Sequence, residues 1–234
     1  MLKIKICGIT RPEDAVAAAE EGADFVGLIF AKSARKVDVK AAQDILWTLP
    51  KGVEAVGVFM NQTLEEVRRI LDATGLKIAQ LHGDESVRFC KELGAPVIKT
   101  FDTFNDGTLE RLKKFDAFAF LLDLPKGGGA GARAQVDPQW AVLAKRYGKV
   151  LLAGKLTPDN VGEMIRKVRP WGVDVSTGVE QRPGRKDPTK LRRFVENARD
   201  AAAAVSDGTA SDSIDLTVEE VAGVTRPWDW QIDR

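Results

Sequence analysis

Short runs of alternating apolar and polar residues, each followed by apolar residues at helical spacing, recur along the whole chain. The first run, Leu2-Lys3-Ile4-Lys5-Ile6, sets Ile4 and Ile6 against Lys3 and Lys5, which predicts a half-buried strand over Lys3 to Cys7. Gly8 breaks it. Thr10 as an N-cap candidate, the early Pro12 and the acidic Glu13 and Asp14 then predict a helix over about Pro12 to Glu21. Further strands are predicted over Phe25 to Phe30, Ala55 to Phe59, Lys77 to Leu81, Val97 to Thr100, Phe118 to Leu122, Lys149 to Ala153 and Gly172 to Val175. Helices fall between and after them, near Val39 to Thr48, Leu64 to Thr74, Glu85 to Leu93, Leu109 to Lys114, Pro138 to Tyr147, Asn160 to Val168 and Pro188 to Ala204. The segment from Leu64 to Thr74 shows the pattern well, with Leu64, Val67, Ile70 and Leu71 on one face.

Strand–helix units repeated eight times predict an α/β protein, a single (β/α)8 TIM barrel with a C-terminal extension. A doubly wound open sheet fits less well, since it usually has fewer strands and a Gly-x-Gly-x-x-Gly turn after the first. From about Val205 the composition shifts to the small polar run Ser206-Asp207-Gly208-Thr209-Ala210-Ser211-Asp212-Ser213. The division expected is a catalytic barrel over residues 1–204 and a linker and tail over 205–234. Trp228 and Trp230 in that tail are expected to dock on the barrel or on a neighbouring subunit, because two exposed indoles are a solubility liability.

Length and charge narrow the function classes. The chain has 234 residues, enough for one large core, and its 35 Lys and Arg against 34 Asp and Glu give a net charge of +1. That balance argues against nucleic acid or an anionic membrane as a partner, so any anion must be recognised locally. No stretch approaches the roughly 20 apolar residues of a membrane span, and the chain opens on a strand rather than a signal segment. A cytoplasmic protein is the expectation. The two cysteines, Cys7 and Cys90, give no disulfide framework or metal spacing, and the single histidine, His82, argues against a metal site. No Gly-x-Ser-x-Gly elbow is present.

In barrels of this kind the chemistry sits at the C-terminal ends of the strands. Those positions hold Cys7, Lys32 to Arg35, His82 with Asp84, Asp123, Gly154 with Lys155, and Ser176 with Gly178. Cys7 and Asp123 supply a thiol and a carboxylate that can face each other across the mouth, which suggests general acid–base catalysis on a small molecule. The glycines after strands seven and eight let backbone N–H groups approach a phosphate, at the place where barrels often bind one. Arg35 suits bidentate recognition of a carboxylate. His82 is read as a wall of the site, and Cys90 as a structural residue of an amphipathic helix.

These motifs together carry a resemblance. Lys5-Ile6-Cys7-Gly8-Ile9-Thr10, Gln80-Leu81-His82-Gly83-Asp84-Glu85, Leu121-Leu122-Asp123, Leu156-Thr157-Pro158-Asp159-Asn160-Val161, Gly172 through Glu180 and Pro183-Gly184-Arg185-Lys186-Asp187 are similar to the motifs of the phosphoribosylanthranilate isomerase family. The similarity runs from residue 1 to about 200, and the tail lies outside it. It implies an Amadori rearrangement of N-(5-phosphoribosyl)anthranilate to 1-(2-carboxyphenylamino)-1-deoxyribulose 5-phosphate in tryptophan biosynthesis. By that resemblance Asp123 protonates the ribose ring oxygen, Cys7 as thiolate takes the proton from sugar C2, and Arg35 orients the anthranilate part. His82, Gly154, Lys155, Asp174, Ser176 and Gly178 complete the expected substrate contacts. No metal and no organic cofactor is implied. The expected partner is a phosphorylated small molecule, and the chain is expected to be a monomer or a homodimer.

Two departures from the family pattern stand out. Gly154-Lys155 replaces the usual Gly-Gly after strand seven, and Gly127-Gly128-Gly129-Ala130-Gly131 lacks the family's threonine after strand six. Two rivals follow. A sugar-phosphate isomerase of histidine biosynthesis, or a bifunctional one, normally carries an aspartate where Cys7 stands. A catalytically silent barrel that binds a phosphorylated metabolite is disfavoured by the intact Cys7 and Asp123.

Overall fold

A computed structural model describes residues 1–102, 105–124 and 136–209. Eight parallel strands close into one barrel in chain order: β1 (Lys3–Cys7), β2 (Phe25–Ile29), β3 (Glu54–Phe59), β4 (Ile78–Leu81), β5 (Val97–Phe101), β6 (Ala119–Leu122), β7 (Val150–Leu152) and β8 (Gly172–Val175). Closure is made by β1 against β8, with Lys5 beside Asp174 in register. The helices α1 (Pro12–Glu20), α2 (Val39–Thr48), α3 (Leu64–Thr74), α4 (Val87–Leu93), α5 (Asp106–Leu112), α6 (Pro138–Ala144), α7 (Val161–Val168) and α8 (Pro188–Ser206) lie between and after the strands. The barrel is therefore the predicted one, with element ends moved by a few residues. The glycine loop Gly127 to Gly131, Ala210 onward in the linker and Trp228 and Trp230 lie outside the described residues.

Local chemistry explains most helix starts. Thr63 and Glu66 form a reciprocal capping box on α3, and Gly75 closes that helix in the left-handed conformation that a side chain disfavours. Asp38 and Asp187 cap α2 and α8. The first helix departs from expectation. Its N-cap is Arg11, without a side-chain cap, because the Thr10 hydroxyl donates instead to the Gly184 carbonyl at 2.6 Å. Gly184 is the turn of an antiparallel hairpin, β9 (Glu180–Arg182) and β10 (Arg185–Lys186), which the sequence pattern did not predict. Two- and three-residue strands are too short to leave a periodic signal.

Two apolar zones hold the barrel. Ile4, Ile6, Leu81, Val173 and Val175 belong to the shell between strands and helices. Phe25, Val56, Ile78, Ile98, Leu121 and Leu151 fill the interior, where Phe118 and Trp171 meet edge to face at 5.6 Å. The half-buried reading of the first strand needs correction here. Lys5 is fully buried, because a closed parallel barrel covered by helices has no solvent face for the polar half of the alternation.

Candidate active site

A cavity of about 460 Å³ opens at the C-terminal ends of the strands. Cys7 reaches it from the end of β1, Arg35 from the loop after β2, His82 from the loop after β4 and Asp123 from the residue after β6. Gly154 and Lys155 border it from the loop after β7, and Asp174 and Ser176 from β8 and its loop. Eight of the nine residues singled out by sequence thus share one cavity. Gly178 does not line it, and it lies so close to the Leu156 carbonyl that a Cβ would collide with that oxygen. Its glycine lets the β7 and β8 loops touch.

The site is polar at its floor. The Lys5 ammonium donates to the Asp174 carboxylate at 2.7 Å, with both groups buried. Arg35 makes a two-pronged pair with Glu180, Nε to Oε1 at 2.7 Å and Nη2 to Oε2 at 2.6 Å. Lys186, buried beneath the hairpin, donates to the Cys7 carbonyl at 2.6 Å, the Ser176 carbonyl at 3.0 Å and Glu180 at 3.2 Å. On the opposite wall the Asp123 carboxylate accepts from the Leu124 amide at 2.8 Å, and its other oxygen lies 3.8 Å from His82 Nε2. Gln80, also buried, reaches His82 Nδ1 and the Thr100 hydroxyl, each at 3.4 Å.

Burial and charge act on these groups in opposite directions. Burial, with the Asp174 charge, pushes the Cys7 thiol up from its ordinary value, and the Lys5 and Lys186 ammoniums offset only part of that rise. Burial would raise the Glu180 carboxyl, yet the Arg35 hydrogen bond and the Lys186 charge hold it below the usual range. Arg35 is correspondingly raised by its hydrogen bond to Glu180. Lys186 is lowered by burial.

Sequence reasoning gave no role to Lys5, Gln80, Glu180 or Lys186. Glu180 and Lys186 lie in the unpredicted hairpin, and their partners are 145 and 179 residues away in the chain. Lys5 and Gln80 did carry a signal, since each is a polar residue inside a predicted strand of a barrel.

A parallel (β/α)8 barrel whose strand ends bring a thiol and a carboxylate onto one cavity has the architecture of an enzyme of small molecules. Comparison with known proteins gives the family. The family model "N-(5'phosphoribosyl)anthranilate (PRA) isomerase" matches residues 4–197, and the chain belongs to that family. The N-(5'-phosphoribosyl)anthranilate isomerase of Geotalea uraniireducens is 45% identical over 203 residues, covering 85% of this chain and 99% of its own length. The solved phosphoribosyl anthranilate isomerase of Thermotoga maritima is 36% identical with a TM-score of 0.79, over 86% of this chain and all of its own. A phosphoribosyl anthranilate isomerase solved in complex with reduced 1-(o-carboxyphenylamino)-1-deoxyribulose 5-phosphate is also 36% identical, with a TM-score of 0.76 over the same shares.

Proposed function

We propose that Cys7 and Asp123 are the general base and general acid of an Amadori rearrangement of N-(5-phosphoribosyl)anthranilate. Family membership makes this chain an enzyme, an isomerase of tryptophan biosynthesis. Asp123 gives its proton to the furanose ring oxygen as the C1–O bond breaks, leaving an iminium at C1. The Cys7 thiolate then takes the proton from C2. The C2–H electrons form the C1–C2 double bond as the C1–N π pair moves onto the nitrogen and neutralises it, and the resulting enolamine tautomerises to the C2 ketone. Two groups that start in opposite protonation states meet that need without a redox step.

The single observation that carries the assignment is that Cys7 and Asp123 line one cavity from β1 and the end of β6. Arg35 is expected to face the anthranilate carboxylate, with Glu180 fixing its plane. The loops after β7 and β8, with Gly154, Lys155 and Ser176 on the cavity, are expected to take the phosphate. His82, beside Asp123, orients that carboxyl.

Turnover of freshly generated phosphoribosylanthranilate, followed by loss of its fluorescence, tests the reading. Cys7→Ala and Asp123→Asn should each lower kcat by at least ~10²-fold, the scale of one general acid or base. Cys90→Ala should leave it unchanged, since Cys90 is buried on α4. Near-normal turnover in either site variant would remove that residue from the mechanism. A wild-type chain without turnover would point to the silent phosphometabolite-binding barrel.

A further inference from the structure

The floor of the site holds an uneven number of charges. Lys5, Lys186 and Arg35 bring three cations, and Asp174 and Glu180 bring two carboxylates. Asp14, the next carboxylate outward, accepts from the Lys186 backbone amide at 2.9 Å and shares Arg11 with Glu13, at 3.3 and 3.1 Å. Among the five groups on the floor the cations exceed the carboxylates by one, and Lys5 is the one that is fully buried.

The geometry says which group that charge meets. Cys7 and Lys5 lie two residues apart on β1, so both project into the barrel while Ile4 and Ile6 face the helices. They converge on Gly27 of β2, where a Cβ would come within 2.8 Å of Cys7 Sγ and 3.1 Å of Lys5 Nζ. Any side chain at 27 would part them. The Lys5 ammonium donates to the Asp174 carboxylate at 2.7 Å and lies on the same side of Gly27 as the Cys7 thiol.

We propose that Lys5 is the positioning residue for the base: its buried ammonium is the counter-charge that stabilises Cys7 as thiolate, and Asp174 competes for it. The proposal rests on Cys7 acting as the base. The charged groups that face Cys7 are Lys5 from β1, Asp174 from β8, Lys186 from β10 and Arg35 from the loop after β2, with Glu180 of β9 shared by the last two. The thiol is thus set between an adjacent cation, held by an anion, and two cations already shared with Glu180. Removing Lys5 and removing the Asp174 charge should move it in opposite directions.

The test uses the whole chain in a Cys90→Ala background, so that Cys7 is the sole thiol. Its titration is read without substrate, from ultraviolet thiolate absorbance and from the pH dependence of alkylation by iodoacetamide. Lys5→Met should raise the thiol's inflection by at least about one pH unit, lower kcat near neutrality by at least about tenfold, and recover toward the parent as pH rises, with KM little changed. Asp174→Asn, close in shape and able to keep a hydrogen bond to Lys5, should lower the inflection. An unmoved inflection in a folded Lys5→Met protein overturns the proposal, whatever its turnover. If Lys5→Met does not fold, an inflection that stays or rises in Asp174→Asn overturns it instead. Full turnover in Cys7→Ala would refute the base assignment, while the thiol titration would still report the Lys5–Cys7 pairing separately.

Discussion

Lys155 stands where the family pattern has a second glycine, and its backbone shows why glycine suits the position. Its φ is +53°, in the left-handed region that a side chain disfavours, and the residue is exposed. Its carbonyl accepts from the Asn160 side chain at 3.0 Å, which holds the loop in that shape. A backbone fixed in this way can present its N–H to a phosphate whatever side chain it carries. Lys155→Gly should therefore change KM by less than about threefold, equivalent to roughly 0.65 kcal/mol. A tenfold rise that shrinks at high salt would show that the ammonium reaches the anion. Arg35 teaches the complementary lesson. Its residue type was informative, but the pair with Glu180 that fixes the guanidinium spans the chain and has no local signature.

Elements place these residues by a few buried polar ties. The loop after β4, which carries His82, is stitched to its neighbours by Lys99 of β5 and Glu85. Lys99, fully buried, donates to the Gly83 carbonyl at 2.5 Å, Glu85 at 3.1 Å and the Leu81 carbonyl at 3.2 Å. Glu85 also accepts from the Asn61 amide at 2.9 Å and the Gly83 amide at 3.0 Å. Glu85→Gln would leave the Lys99 charge without its carboxylate, which costs about 3–5 kcal/mol when a buried pair loses one partner. A fall in the urea-unfolding free energy of that order is expected. A change under about 1 kcal/mol would mean that carbonyls alone satisfy the ammonium. At this scale most of the sequence was legible: strand and helix existence followed from apolar period, although the one N-cap read from sequence, Thr10, binds the Gly184 carbonyl instead. The hairpin of β9 and β10 was not, because its strands are too short to show a period and are held by the barrel they cover.

For the whole molecule, α8 closes the ring. It buries Leu191, Phe194 and Val195 against the barrel, and Arg199 donates to the Gly22 carbonyl and to Asp24, each at 3.0 Å. The helix runs to Ser206, past the expected barrel boundary at residue 204. A truncation meant to test the tail should therefore stop after Thr209. We expect that chain, lacking residues 210–234, to keep its turnover and its urea midpoint while its solubility or association changes, as sedimentation would show. A large loss of turnover with the fold intact would place the tail over the active site. The sequence by itself determined the repeating unit, the barrel and eight residues that line the cavity, because apolar period and strand-end position are local properties. Only the tertiary structure decided which charges share the floor. Closing β1 against β8 puts Lys5 beside Asp174, and folding the hairpin over the end of β1 brings Lys186 to Cys7 and Glu180 to Arg35. Such pairings depend on distance through space between residues far apart in the chain, which no local pattern records.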